Sequence, residues 1–224
     1  MTSKPLLIFD LDGTLAETAG DLMATLNFLL DQEGLPPIPM EEARFLLGAG
    51  ARALITRGFA AGNRTVEPGT LERLFGAFLA HYEANICVHS HLFPGVVAAL
   101  DKFEAAGWDF AVCTNKIEHP SILLLNALGV AKRFKAICGQ NTFHVCKPHA
   151  DALLLTIDRA GGVPERSVMV GDSNTDILAA KNAKIPVVAV DFGYTDKPVA
   201  SLGPDVVISH FDALWDAVAA LNIR

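Results

Sequence analysis

Short runs of Leu, Ile, Val and Phe alternate along this chain with longer stretches whose apolar residues recur at helical spacing. That alternation predicts an α/β fold, with a Rossmann-like, largely parallel sheet as its core flanked by helices. Strands are expected over residues 6–10, 110–114, 136–138, 168–171, 187–190 and 206–208. Most read as continuous apolar runs, so helices should cover both faces of the sheet. About a hundred residues separate the first two strands, far more than one crossover helix needs. Residues 17–92 are therefore expected to form an inserted small α-helical cap domain, with residues 1–16 and 93–224 as the core. Within the insertion the periodicity places helices at 21–32, 40–47, 51–59 and 71–83, punctuated by Pro36-Pro37, Gly48-Ala49-Gly50 and Pro68-Gly69. The core helices are expected at 96–106, 120–128, 150–160, 175–183 and 212–221.

Composition narrows the class. Of 224 residues 51% are hydrophobic and 19% charged, which excludes a disordered chain. Eighteen Lys and Arg against 25 Asp and Glu give a net charge of −7, which argues against a nucleic-acid partner held by broad phosphate neutralisation. A local site can still bind a small anion. The four cysteines, at 87, 113, 138 and 146, show no metal or redox spacing and read as reduced thiols. The opening MTSKPLLIFD meets an acid after a short apolar run, unlike a signal peptide. No run approaches the roughly 18 apolar residues of a membrane helix. A soluble cytoplasmic protein without a membrane partner is expected.

In an open parallel sheet, ligands gather beyond the carboxyl ends of the strands. Here those ends are polar: Asp10-Leu11-Asp12-Gly13-Thr14, Thr114-Asn115-Lys116, and Gly171-Asp172-Ser173-Asn174-Thr175-Asp176. Carboxylates at i and i+2 of extended chain lie on one side, an arrangement that is costly without a cation. Gly13 allows a sharp bend and close approach of an anion to backbone N–H groups, and Thr14 adds a hydroxyl donor. Asp12-Gly13 could be a simple turn, but D-x-D-G-T arises by chance in roughly one chain in a thousand of this length. One acid of the pair could attack while the other moves protons.

These residues resemble the motifs of the haloacid dehalogenase superfamily. DLDGTL at 10–15 is similar to its first motif, Thr114-Asn115 to the second, Lys147-Pro148 to the third, and Gly171-Asp172-Ser173 with Asp176 to the fourth, all in the family's order. The insertion looks like the family's mobile cap, and the phosphoglycolate phosphatases look most alike. The resemblance implies a phosphomonoester hydrolase that works through an aspartyl phosphate. Asp10 would be the nucleophile and Asp12 the general acid and base. Mg²⁺ would be held by Asp10, Asp172 and the backbone carbonyl of Asp12. Gly13, Thr114, Asn115 and Lys147 would bind the phosphate, and Ser173 and Asp176 would support the site, Asp176 through water or by orienting Lys147. Counting Asp10, Asp12, Asp172 and Asp176 against Lys147 alone, one Mg²⁺ leaves the site negative, so Asp12 must carry a proton and helix-end amides must help.

The implied partner is a small phosphorylated metabolite, with phosphoglycolate foremost, acted on by a monomer or homodimer. An acid two residues after Asp10 argues against a dehalogenase or phosphonate hydrolase. A sugar phosphomutase shares the motifs, and a non-catalytic phosphate-binding regulator shares the fold. Gly48-Ala49-Gly50 follows helical rather than strand periodicity, so it is read as a turn between cap helices and not as a dinucleotide site. The segment LLGAGARAL resembles the family's closing cap loop. Arg52 within it is read as solvent-facing, the alternative being a contact to a substrate carboxylate. Hinges are expected near 16–19 and 90–94. Lys184 stands where relatives often have glycine, and a left-handed backbone there would carry a cost.

Overall fold

The computed structural model describes residues 3–195, 197–221 and 223. The strands are β1 (Leu6–Phe9), two short strands β2 (Ala16–Glu17) and β3 (His91–Leu92), β4 (Asp109–Cys113), β5 (Phe134–Cys138), β6 (Ser167–Gly171), β7 (Val187–Val190) and β8 (Val206–Ile208). Six of them form one parallel sheet in the order β5-β4-β1-β6-β7-β8. β1 is central: Leu7 lies between Phe110 of β4 and Val168 of β6. The chain order reverses at β1, so the crevice beyond the carboxyl ends of β1, β4 and β6 is where a ligand site belongs.

Alternation along the strands sorts their side chains between two cores. Leu7 and Phe9 pack with Val112 and Val170 on the face covered by α5 (Val96–Ala105), α6 (Glu118–Ala127) and α9 (Leu214–Ala220). Leu6 and Ile8 pack with Ala111 and Met169 on the face covered by α7 (Ala150–Arg159) and α8 (Asn174–Ala183). All four β1 side chains are buried, and burial of each contributes roughly 1.5–3 kcal/mol. That tension between strong burial and the polar residues that follow fixes where β1 stops.

Between β2 and β3 the chain forms α1 (Ala19–Gln32), α2 (Ala43–Leu46), α3 (Ala51–Ala61) and α4 (Pro68–Ala84). They enclose a separate core that includes Leu26, Leu30, Ile55, Phe59 and Phe78. The chain crosses into and out of this unit through β2 and β3, which pair antiparallel with Ala16 opposite Leu92 and Glu17 opposite His91. Two-residue strands are too short to leave a period in the sequence. Pro68-Gly69, read as a break, instead opens α4, because Pro68 occupies the first helical turn where its missing N–H costs nothing. The segment 40–47 is a 3₁₀ turn followed by the four-residue α2, and 212–221 likewise begins as 3₁₀ before α9. The four cysteines are all unbridged, and no helix among the described residues is long and apolar enough to cross a membrane.

Lys184, at the end of α8, takes φ 58° and ψ 37°, the left-handed conformation. A non-glycine residue there loses about 1–2 kcal/mol, of which glycine's extra unfolded-chain entropy recovers roughly 0.5–1. Lys184→Gly should therefore raise stability by about 0.5–1 kcal/mol, read as an upward shift of the urea midpoint. An unchanged or lower midpoint would contradict the strain.

Candidate active site

Asp10 is the first residue past β1, and its N–H still donates to the Val170 carbonyl at 2.9 Å, so the sheet fixes its position. Gly13 turns the chain with φ +81°, and a Cβ there would stand 2.6 Å from Asp172 Oδ2. Glycine is required on both counts. The Thr14 hydroxyl donates to Asp172 Oδ1 at 2.9 Å, and the Tyr194 N–H to Asp172 Oδ2 at 2.6 Å. Thr14 thus holds an acid of the site instead of offering a free donor to a ligand.

Lys147 is 2% exposed and reaches between two acids, 3.0 Å from Asp10 Oδ1 and 2.6 Å from Asp176 Oδ1. The other oxygen of Asp176 accepts from the Ser173 N–H at 3.0 Å and the Ser173 hydroxyl at 2.6 Å, an arrangement that also starts α8. Asp176 therefore orients Lys147 directly. Thr114 is buried at the end of β4, with its Oγ1 accepting from the Lys116 N–H at 3.2 Å. Asn115 donates to the Lys147 carbonyl at 3.1 Å, and its buried Oδ1 has no partner among the described residues. The strand-end residues singled out in the sequence thus converge on one crevice.

The Asp12 carboxylate borders the same cavity but has its own partners. It accepts from the Thr18 hydroxyl at 2.8 Å and from the Lys116 ammonium at 3.1 and 3.2 Å. Lys116 is 9% exposed, with its ammonium 4.3 Å from the centroid of the Tyr82 ring on α4. This lysine was missed as a site residue, although its place directly after Thr114-Asn115 at a strand end was the available signal. It changes the charge count: four carboxylates face two ammonium groups, and a divalent cation would bring the site to neutrality. Tyr194 ties the same region to the chain crossing, since its hydroxyl accepts from the Thr18 and Ala19 N–H groups at 2.6 and 2.8 Å and donates to Glu17.

Oxygens of Asp10, Asp172 and Asp176 lie within 4.8 Å of one another, all three residues buried. Burial pushes the Asp10 carboxyl up to about 6; Lys147 opposes the shift, and Asp176 and Asp12 add to it. Burial, with Asp176 and Asp10, raises Asp172 well above the usual carboxylate range. For Lys147 burial opposes the charge, but Asp10 and Asp176 outweigh it and hold the ammonium charged. Close, buried carboxylates whose ionisation is resisted are a donor set suited to a hard divalent cation. Within this cluster Asp176 is committed to Lys147 and Ser173.

The sign of the Asp10 shift gives a test. Its proton is held to about 6 in the fold against 3.8 in the ordinary carboxyl. Its contribution to stability is then fully present below about pH 4 and lost as pH rises through 6, a difference of about 3 kcal/mol. Urea unfolding of metal-free protein from pH 4 to 8 should show the native chain losing stability relative to Asp10→Asn. Parallel pH profiles would contradict it.

A cavity of about 50 Å³ lies between the helices α1–α4 and the strand ends, with Asp10, Asp12 and Lys116 on one side and Leu54, Phe78 and Tyr82 on the other. The Gly48-Ala49-Gly50 turn joins α2 to α3 and rests on the core: a Cβ on Gly48 or Gly50 would stand 3.1 Å from the Tyr194 carbonyl or 3.3 Å from that of Asn115. Arg52 faces outward, paired with Glu72 through two 2.8 Å hydrogen bonds and stacked 3.6 Å from the Phe75 ring. The solvent-facing reading of Arg52 is the one the geometry bears out.

The family model for haloacid dehalogenase-like hydrolases matches residues 7–190. The chain is 48% identical to the phosphoglycolate phosphatase of Mesorhizobium japonicum over 99% of this chain and 98% of that one. It is 45% identical to that of Agrobacterium fabrum over 97% and 95%. Among solved structures, the "predicted phosphoglycolate phosphatase" of Haemophilus somnus superposes with a TM-score of 0.89 at 29% identity, covering 97% of this chain and 99% of that one. CbbY from Rhodobacter sphaeroides, solved in complex with phosphate, gives 0.79 at 26% identity, covering 94% and 96%. With the motif residues gathered at one crevice and this match running through all of them, the chain belongs to the haloacid dehalogenase-like hydrolases.

Proposed function

We propose that this hydrolase releases phosphate from a small phosphorylated metabolite, phosphoglycolate foremost, with Mg²⁺ as its metal. The observation that carries the reading is Asp10, fixed at the end of β1, ion-paired to buried Lys147 and open to the cavity beneath the cap. Asp10 attacks phosphorus and takes the phosphoryl group as an aspartyl phosphate, while Asp12 delivers a proton to the departing oxygen. Asp12 then takes a proton from the water that attacks the same phosphorus, and Asp10 is restored. Thr114, the backbone at Asn115 and Gly13, and Lys147 hold the phosphate oxygens. Bound at Asp10, Asp172 and the Asp12 carbonyl, Mg²⁺ would offset the negative charge that repels a phosphate ester.

Residues 17–92 act as the cap in this reading, with hinges at the paired β2 and β3. The cavity has room for a few water-sized groups, which favours a substrate of few atoms over a nucleotide. The setting is cytoplasmic, and the acting form a monomer or homodimer. Phosphate release from phosphoglycolate, sugar phosphates, nucleotides and an aryl phosphate, with Mg²⁺ or chelator, tests the proposal. Metal-dependent release that favours phosphoglycolate is expected. No release from any ester would overturn it in favour of a mutase or a non-catalytic binding protein.

A further inference from the structure

Tyr82 sits near the end of α4 with 1% of its surface exposed. Its buried hydroxyl proton finds no acceptor among the described residues, since the Lys116 ammonium beside it can only donate. Such groups are rare, because a phenol taken from water without a partner lowers stability. Tyr82 also carries the one polar side chain among the described cap residues that line the cavity; the others are Leu, Phe, Ala and Gly. Across the cavity the Lys116 ammonium lies over its ring, 4.3 Å from the centroid. A hydroxyl proton without an acceptor, beside an ammonium that also holds Asp12 and in an otherwise apolar wall, is an arrangement complementary to a small anion.

The phosphoryl end of a substrate is accounted for by Asp10, Thr114, Asn115 and Lys147. We propose that Tyr82 is the specificity-determining residue of the cap: its hydroxyl donates to a carboxylate on the leaving group of the substrate, beside the Lys116 ammonium. The substrates so selected are short phosphorylated carboxylic acids. This rests on the phosphatase reading above. Burial pushes the Tyr82 phenol up to about 12, so it keeps the proton that it donates. The hydroxyl is then a group retained at the expense of stability because a ligand satisfies it.

Phosphoglycolate and ethyl phosphate share the reacting ester and differ by the carboxylate. With Mg²⁺ present, Tyr82→Phe should lower kcat/KM for phosphoglycolate by about ten- to a hundred-fold, the effect of losing a hydrogen bond to a charged group. The loss should fall mainly on KM, with ethyl phosphate unchanged and the thermal midpoint equal to or above that of the native protein. Glycolate should also inhibit native turnover of ethyl phosphate more strongly than ethylene glycol does, a comparison that needs no variant. If both esters lose rate equally, if neither changes, or if glycolate and ethylene glycol inhibit alike, Tyr82 does not read a carboxylate. A native protein that turns over neither ester would instead remove the phosphatase reading, and this inference with it.

Discussion

Asp10→Asn should abolish phosphate release, lowering kcat by roughly four orders of magnitude or more, while the protein remains folded. The substitution preserves the shape of the side chain, so its position beyond β1 and the bond from its N–H to Val170 are kept. What is lost is the anionic oxygen, which alone can attack phosphorus; an amide is not a nucleophile at neutral pH. The neighbouring acids cannot replace it. Asp172 is held by Thr14 and Tyr194, Asp176 by Lys147 and Ser173, and Asp12 is turned toward Lys116 and Thr18. Because Asp10 resists ionisation in the metal-free site, the variant should also be no less stable than the native chain at pH 7. A variant that keeps more than a few per cent of native turnover would contradict the assignment of Asp10.

Lys147→Met should cost about 3–5 kcal/mol of stability at pH 7 in the absence of metal. Methionine is similar in volume, so the effect measures charge and not a cavity. The ammonium is almost fully buried, 3.0 Å from Asp10 and 2.6 Å from Asp176, and removing it leaves both acids largely buried without a counter-charge. Mg²⁺ should narrow the difference, and so should Asp10→Asn added to the same chain, because each relieves part of the uncompensated charge. Urea unfolding of the two single variants and the double variant closes a cycle whose coupling term reports the pair. A coupling near zero would mean that Lys147 does not support Asp10 electrostatically. Turnover by Lys147→Met should be lost as well, since in the proposed reaction this ammonium also binds the transferring group.

Much of the architecture was legible because burial on both faces of a parallel sheet leaves continuous apolar runs. All six core strands lie where such runs were read, and β5 extends two residues earlier because Phe134 completes the run. The candidate site was legible in part because polar residues follow those runs directly, as Asp10, Thr114 and Asp172 do. Contacts between residues far apart in sequence were not. Neither the pairing of Lys116 with Asp12 across 104 positions nor the hold of Tyr194 on Asp172 and on the β2 segment leaves any periodicity to read. The buried hydroxyl of Tyr82 is hidden for the same reason, since its helical period marks it as core and only the fold shows that it borders the cavity. The sequence around Lys184 left its backbone open, and the structure places it in the left-handed region at the end of α8.

In the proposed reaction Asp10 carries the phosphoryl group during turnover. Its most direct test is rapid acid quenching of the Mg²⁺-supplemented protein during reaction with ³²P-labelled phosphoglycolate, followed by peptide mapping. Acid-stable label that hydroxylamine removes is expected, confined to the peptide that contains Asp10 and missing from Asp10→Asn. Label on a different residue, or rapid turnover with no protein-bound label at any quench time, would contradict it.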